Sequence, residues 1–253
     1  VHIDFSGQTV LVTGASRGIG AAIARQLGDS GARVAVHYGG SRDRAESLAR
    51  EIGHGAQVFG ADLADAAACT SLWREVEASF GRIDAVVNNA GIAVESPLAK
   101  PDEDWLEDWN WTMAVNLTAT GLLCRSAIAH FQRHGGGGRI VNIASRAAFR
   151  GDQPDYLAYA ASKAGVVALT RSIARGFGKI GIKAFVVAPG FTRTEMSHAF
   201  IDQYGEDYVT SDLALAQLTE PTDIAPTVAF LLSGLADHAT GTTIDINAGS
   251  YVR

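Results

Sequence analysis

Short runs of β-branched and aliphatic residues alternate with longer stretches in which apolar positions recur three and four apart. Thr9 to Thr13 is a continuous apolar run of the buried-strand type. Ile19, Ile23 and Leu27 then fall four apart and predict a helix from Ile19 to Leu27. Arg33 to His37 reads as the second strand, Arg42 to Ile52 as a helix and Gln57 to Gly60 as the third strand. Leu72, Val76 and Phe80 set the register of a helix over Ala66 to Phe80. Ile83 to Val87 is the fourth strand. Two helices follow, about Pro101 to Asp108 and Trp111 to His134. Arg139 to Ala144 is the fifth strand, Leu157 to Phe177 a long helix and Lys183 to Ala188 the sixth strand. An irregular segment over about 190–220 precedes a helix from Asp223 to Leu232. Thr243 to Ile246 is the last strand.

Seven strands alternating with helices predict an α/β fold: a Rossmann-type, doubly wound parallel seven-stranded sheet with helices on both faces. With no Pro/Ser-rich linker and no break in composition, residues 1–253 read as a single domain. No repeat of solenoid period is present. The glycine run Gly135 to Gly138 reads as a flexible connection between the long helix and the fifth strand.

Composition narrows the class. Glycine is in excess, 28 of 253 residues, without a Gly-X-Y period and with only 6 Pro, so collagen is excluded and the excess serves turns or close backbone approaches. A net charge of -6 gives no general attraction to nucleic acid or anionic membranes. Cys69 and Cys124 lack metal-ligand spacing and read as buried free thiols of a reducing compartment. The stretch from Val1 to Phe5 has no secretory pattern, and no apolar run reaches membrane-spanning length. The expectation is a soluble, cytoplasmic protein without a metal.

Glycine first acquires a role between strand one and its helix. Thr13-Gly14-Ala15-Ser16-Arg17-Gly18-Ile19-Gly20 has the spacing GxxxGxG. There glycines permit a tight turn and close approach of backbone N–H groups to a pyrophosphate at a helix N-terminus. At the end of strand two, Tyr38-Gly39-Gly40-Ser41-Arg42 holds no carboxylate to receive an adenosine ribose 2′-hydroxyl. Arg17, Ser41 and Arg42 offer donors for a 2′-phosphate instead, which favours NADP(H), with NAD(H) as the alternative. Asp62 after strand three is placed to accept from adenine, or to cap the next helix, with Leu63 against the ring. Asn88-Asn89-Ala90-Gly91 after strand four lines the cofactor channel or ties neighbouring strands together.

Tyr159 and Lys163 are one helical turn apart on one face. A phenol needs help to work near neutral pH, and an adjacent ammonium supplies it. Ser145, just past strand five, is placed to hold a substrate oxygen.

Together these motifs make the chain resemble the short-chain dehydrogenase/reductase family over essentially its whole length. The likeness is to the single-domain branch, among enzymes like 3-oxoacyl-(acyl-carrier-protein) reductase. It rests on Thr13-Gly14-xxx-Gly18-x-Gly20, Asp62, Asn88-Asn89-Ala90-Gly91, Asn116, Ser145, Tyr159-xxx-Lys163 and Pro189-Gly190. The resemblance implies that Tyr159 is the general acid/base and that Ser145 orients the carbonyl. It implies that Lys163 lowers the Tyr159 pKa and bonds the nicotinamide ribose, and that Asn116 holds a relay water. Asp62 would contact adenine, with Asn89, Ala90 and Gly91 along the ribose. Pro189, Gly190, Thr192 and Thr194 would embrace the nicotinamide amide and phosphates. Thr192 departs from the branched aliphatic residue usual there, which puts the packing beneath the nicotinamide in question.

Substrate contacts are expected to flank Tyr159: Ala147, Gln153 and Tyr156 before it, with Asp152 beside Gln153, and Phe191 and Met196 in a lid over about 190–220. The mix suits a small ketone, a sugar-like polyol or a β-ketoacyl group. The acidic chain argues against docking an acidic carrier protein. The reading is an oxidoreductase acting on a small-molecule carbonyl or secondary alcohol with NADP(H). The alternative is an NAD-dependent polyol, sugar or secondary-alcohol dehydrogenase. A lyase or epimerase, or a cofactor-sensing binding protein, is more remote. The resemblance also implies a homotetramer joined through helices 111–134 and 157–178.

Overall fold

The structure, a computed structural model, describes residues 3–252, apart from the side chains of Ala199, Gln203 and Tyr204. Seven parallel strands form one sheet: β1 (Thr9–Val12), β2 (Arg33–Tyr38), β3 (Gln57–Gly60), β4 (Ala85–Asn88), β5 (Gly138–Ile143), β6 (Ile182–Pro189) and β7 (Thr243–Ile246). Their order is β3-β2-β1-β4-β5-β6-β7. The winding reverses between β1 and β4, so a crevice opens at their carboxyl ends, where Val12 lies opposite Val36 and Val87.

Strand alternation sends neighbouring apolar residues to opposite faces and builds two cores. Val10 and Val12 face Ile23 and Leu27 of α1 (Gly18–Asp29), Leu48 of α2 (Arg42–Ile52) and Val228 of α10 (Pro221–Leu232), whereas Leu11 joins the opposite cluster. That second cluster holds Trp73 and Val76 of α3 (Ala66–Phe80), Leu123 and Phe131 of α5 (Ala119–Arg133), and Ile173 of α7 (Leu157–Phe177).

Three expectations change. The two helices foreseen after β4 are one continuous rod: α4 (Asp102–Met113), a π turn at Ala114–Thr118, then α5. Trp105 stacks on Trp109 within α4, ring centroids 5.2 Å apart, and the Ala114 N–H donates back to Asn110 and Trp111, so the helix runs on through the gap between the two expected helices. The irregular segment contains α8 (Glu195–Tyr204) and α9 (Glu206–Thr210), and a short α6 (Ala147–Arg150) follows β5. The run Gly135–Gly138 is not slack chain. The Gly137 N–H donates to the Ile180 carbonyl at 3.0 Å, and Gly138 packs against the Phe131 ring and starts β5.

The two ends of the α8–α9 segment are fastened together. Thr192 and Thr219 form a parallel bridge. The Arg193 N–H donates to the Thr219 carbonyl at 2.9 Å, and its guanidinium reaches Glu220 at 2.7 Å and Glu206.

Cys69 and Cys124 are buried free thiols. Burial pushes them up to about 11 and about 12, which keeps both protonated. Glu77, His130 and His134 converge between α3 and α5. His130 Nε2 accepts the Ile83 N–H at 3.0 Å, so the proton of the neutral ring sits on Nδ1, facing Glu77 at 3.0 Å. That nitrogen has no lone pair for a metal, and the cluster acts as a strut between helices. Among the described residues no helix is long and apolar enough to cross a membrane.

Candidate active site

The glycine loop is tied down from both sides of the crevice. Thr13 Oγ1 accepts the N–H groups of Asn89 and Ala90 at 2.9 and 3.0 Å. The Asn89 amide returns a bond to the Thr13 carbonyl at 2.9 Å. Gly14 takes a left-handed conformation, φ 62°, and its N–H donates to His37 Nδ1 at 3.0 Å. At Gly20 a Cβ would run into the Gly14 carbonyl and the Asn89 amide, so the helix packs this close only with glycine. His37 Nε2 lies 3.1 Å from the Ala61 carbonyl. The ring is therefore neutral with the proton on Nε2, and burial pushes its pKa down to about 4.

The loop fits a dinucleotide pyrophosphate. Arg17 caps α1 without a side-chain bond to the helix, leaving the first-turn N–H groups of Gly18, Ile19 and Gly20 as donors for an anion. Ser16 is half-buried beside them and Ile19 packs against the first core. Thr194 leans over Gly18, whose Cβ position lies 3.4 Å from the threonine methyl.

At the adenosine end the placements differ from expectation. Tyr38 covers Gly60, its hydroxyl 2.8 Å from that residue's Cβ position. Ser41 caps α2 without a side-chain bond. Arg42 is exposed and pairs with Glu46, one helical turn along, at 2.8 Å. Arg44 instead turns toward the glycine loop and pairs with Glu195, which also holds Arg17 at 2.9 Å. Asp62 accepts the Ala64 N–H at 2.9 Å, while the capping role falls to Asp65, which accepts from Ala67 at 2.7 Å. Leu63 is buried in the second core, which leaves its backbone and not its side chain for a ring. Asn88 takes the strand-tying role: its amide donates to Asn142 Oδ1 at 2.8 Å.

Beside this crevice the catalytic candidates converge at the carboxyl end of β5. Ser145 follows the strand, and its Oγ accepts the Ala147 N–H at 3.1 Å. Tyr159 and Lys163 project from the first turns of α7, the ammonium 5.8 Å from the phenol ring centroid. Lys163 Nζ donates to the Ile143 carbonyl at 3.0 Å. Gly91 is thin where Asn116 Oδ1 and Lys163 Nζ both approach, each 3.2 Å from its Cβ position. Asn116 sits in the π turn. Its amide accepts from Ile92 N–H at 2.9 Å and donates to Ile92 O at 2.9 Å and Ser162 Oγ at 3.0 Å. Ser162 in turn donates to the Tyr159 carbonyl at 2.7 Å. Asn116 and the first turns of α7 are therefore one unit.

Burial raises the Tyr159 phenol above its ordinary value. A hydrogen bond from Ser145 opposes the rise and the charge of Asp152 adds to it. Burial pushes Lys163 down to about 8. The protein groups thus hold the phenol protonated, as a donor, and keep the lysine near the point of losing its charge.

Past the catalytic end, Pro189 closes β6 and accepts the Arg146 N–H at 2.9 Å. Gly190 is required by Asn247, which stands 2.7 Å from its Cβ position, so its thinness serves the closing tail. Thr192 is buried, and its hydroxyl donates to the Gly190 carbonyl at 3.1 Å, replacing aliphatic packing with a bond that stiffens the turn. Ala147 is buried and Gln153 is exposed. The Tyr156 hydroxyl meets Glu95 at 3.5 Å. Phe191 packs on Phe200, rings 5.4 Å apart, while Met196 is 57% exposed on the outer side of α8.

His37, Arg44, Ser162, Ile92 and Glu195 escape a reading of the sequence. Each owes its place to a partner far along the chain. Only His37 carries a signal, a lone polar ring ending the apolar run of β2.

Comparison with known proteins finds relatives along nearly the whole chain. Residues 14–250 match a family described as enoyl-(acyl carrier protein) reductase. The chain is 40% identical over 248 residues to the 3-oxoacyl-(acyl-carrier-protein) reductase FabG of Staphylococcus aureus, spanning 97% of this chain and 98% of that protein. It is 38% identical over 259 residues to the D-threitol dehydrogenase of Mycolicibacterium smegmatis, spanning 100% of this chain and 97% of that one. A short-chain dehydrogenase from Burkholderia cenocepacia J2315, solved in complex with NADP, matches with a TM-score of 0.87 and 36% identity, over 97% of this chain and 98% of that one. With the glycine loop, the serine and the tyrosine–lysine pair set on this sheet, the chain belongs to the short-chain dehydrogenase/reductase family of NAD(P)-dependent oxidoreductases.

Proposed function

We propose that the chain is an NADP(H)-dependent carbonyl reductase or secondary-alcohol dehydrogenase, with Tyr159 as its general acid/base. The observation that carries this is the convergence of Ser145, Tyr159 and Lys163 beside the anion-binding start of α1. NADP(H) is favoured by Arg17 and Arg44 flanking a β2 end without a carboxylate, and by the NADP held by the Burkholderia cenocepacia relative.

A bound nicotinamide supplies or accepts the hydride at the substrate carbon. The chain does the rest. Ser145 donates to the substrate oxygen and fixes its direction. Tyr159 hands its proton to that oxygen in reduction and takes it back in oxidation. Lys163 stabilises the phenolate while it lasts, and the Asn116–Ser162 bonds keep the helix that carries both residues in register. Gly14, Ser16, Gly18, Ile19 and Gly20 hold the pyrophosphate. Tyr38, Ser41, Asp62, Asn89, Ala90 and Gly91 line the adenosine side, and Pro189, Gly190 and Thr194 line the nicotinamide side. The segment over 190–220 covers the substrate.

For the substrate, a polyol or its ketose is favoured over a carrier-bound acyl group. Asp152 acts electrostatically on Tyr159, and Glu95 bonds Tyr156, so carboxylates that accept from hydroxyls stand at the mouth. The D-threitol dehydrogenase relative acts on such a compound by its name. A small-molecule substrate, a cytoplasmic location and no nucleic-acid or membrane partner complete the reading. A homotetramer is supported by the half-exposed Trp111 on the long helix and by the half-buried β7 at the sheet edge.

The test is a spectrophotometric screen of ketones, β-ketoesters and polyols with NADP(H) and NAD(H). The reading expects turnover with at least one class and a higher kcat/KM with NADP(H). A clear NAD(H) preference overturns the cofactor reading, and turnover confined to acyl thioesters overturns the substrate reading.

A further inference from the structure

Glu195 is the first residue of α8, and its two carboxylate oxygens are divided between two arginines from distant parts of the chain. Arg17 caps α1 at the glycine loop; Arg44 lies in the first turn of α2, just past the end of β2. The adenosine ribose of a dinucleotide lies between these places in a sheet of this topology. Both guanidiniums converge on one carboxylate, so they are close enough to clamp a single larger anion. Two cations against one carboxylate also leave a unit of positive charge that a phosphate dianion neutralises better. The lid is tied to the same point, since Thr194 lies over Gly18.

Resting on the NADP(H) reading above, we infer that Glu195 is a built-in competitor for the ribose 2′-phosphate. It occupies the two arginines that recognise that group, and the arriving phosphate displaces it and frees the first turn of the lid helix α8. Arg44, not Arg42, is then the second phosphate-reading residue. A cofactor without the 2′-phosphate leaves the Glu195 tie in place, so choice of cofactor is registered by the lid and not only by the ribose pocket. The helix N-terminus keeps the freed carboxylate favourable, which makes the exchange reversible.

The test uses adenosine 2′,5′-bisphosphate and adenosine 5′-monophosphate as probes, with affinities measured by calorimetry. It compares the wild type, Glu195→Gln, Arg44→Ala and the control Arg42→Ala. Since exposed ion pairs are weak, Glu195→Gln is expected to bind the bisphosphate about two- to fivefold more tightly, with the monophosphate unchanged. Arg44→Ala is expected to lose about tenfold toward the bisphosphate alone, and Arg42→Ala to match the wild type. Hydrogen exchange in the first turn of α8 is expected to speed up in the wild type with the bisphosphate and not with the monophosphate. Unchanged bisphosphate affinity in Glu195→Gln, or equal losses in Arg44→Ala and Arg42→Ala, overturns the competitor while the NADP(H) reading stands. If the wild type and Glu195→Gln both bind the two probes equally, the NADP(H) reading falls and the competitor falls with it.

Discussion

The Gly14 N–H donates to His37 Nδ1, so the turn proposed to receive the cofactor is held by an imidazole that must be neutral to accept. The folded pKa, about 4, lies below the ordinary 6.5. Between those values the unfolded chain binds more protons, and the stability this histidine confers is complete above about pH 6.5 and lost as pH falls through 4. Going from pH 7 to 5 is expected to remove about 2 kcal/mol through this residue alone. Thermal melts check it: His37→Gln, which does not titrate, is expected to show a visibly smaller fall in Tm over that range than the wild type.

Tyr159→Phe keeps the ring and removes the only proton the mechanism transfers. Turnover is expected to drop by about two to four orders of magnitude, the usual worth of general acid–base catalysis, while nucleotide affinity changes little. Steady-state rates and a calorimetric titration with NADP separate the two. Turnover that survives the substitution refutes the assignment.

Lys163 sits near a pKa of about 8, so its charge is lost as pH rises through that value. Carbonyl reduction needs the acid side of the pair. Its kcat/KM is expected to fall as pH rises above about 8, because the phenolate left on Tyr159 loses the charge that stabilises it. In Lys163→Arg the charge persists to much higher pH, and the fall in reduction is expected to move upward with it. An identical profile in that variant would remove the lysine from the proton path.

Gly20→Ala places a methyl group against the Gly14 carbonyl and the Asn89 amide. Overpacking of this kind costs about 1–3 kcal/mol, which lowers Tm by about 2–4 °C per kcal/mol in a chain of this size. Weaker nucleotide binding is expected as well, since the start of α1 moves off the sheet. Melting curves with and without NADP report both effects.

The strands, their alternation with helices and the Tyr159–Lys163 pair are legible in the sequence because each depends on neighbours within a turn or two. Val10 and Val12 against Leu11 show it: period-two alternation inside an apolar run already implies two covered faces. The proposed phosphate seat is harder. Arg42 and Arg44 are nearly equivalent on paper, and a local partner, Glu46, takes the first. The partner of the second lies 151 residues away. The α8 and α9 helices are hidden for a related reason. They are short, and what orders them is the bridge from Thr192 to Thr219 and not a strong periodicity of their own. The single rod from Asp102 to Arg133 reads as two because its apolar periodicity shifts where the π turn at Ala114–Thr118 adds a residue to the turn.

The bridge from Thr192 to Thr219 also bears on how such a chain can diverge. The chain between these two threonines leaves and rejoins the body at one stapled point, between β6 and α10, and its other ties include side-chain pairs of Glu195 with Arg17 and Arg44 and of Asp212 with Arg146 and Arg150. A change of length or sequence that spares those anchoring pairs transmits little strain to the strand ends that carry Ser145 and the glycine turn. Substrate range can therefore drift by rewriting one cassette, while the hydride-transfer apparatus is inherited unaltered.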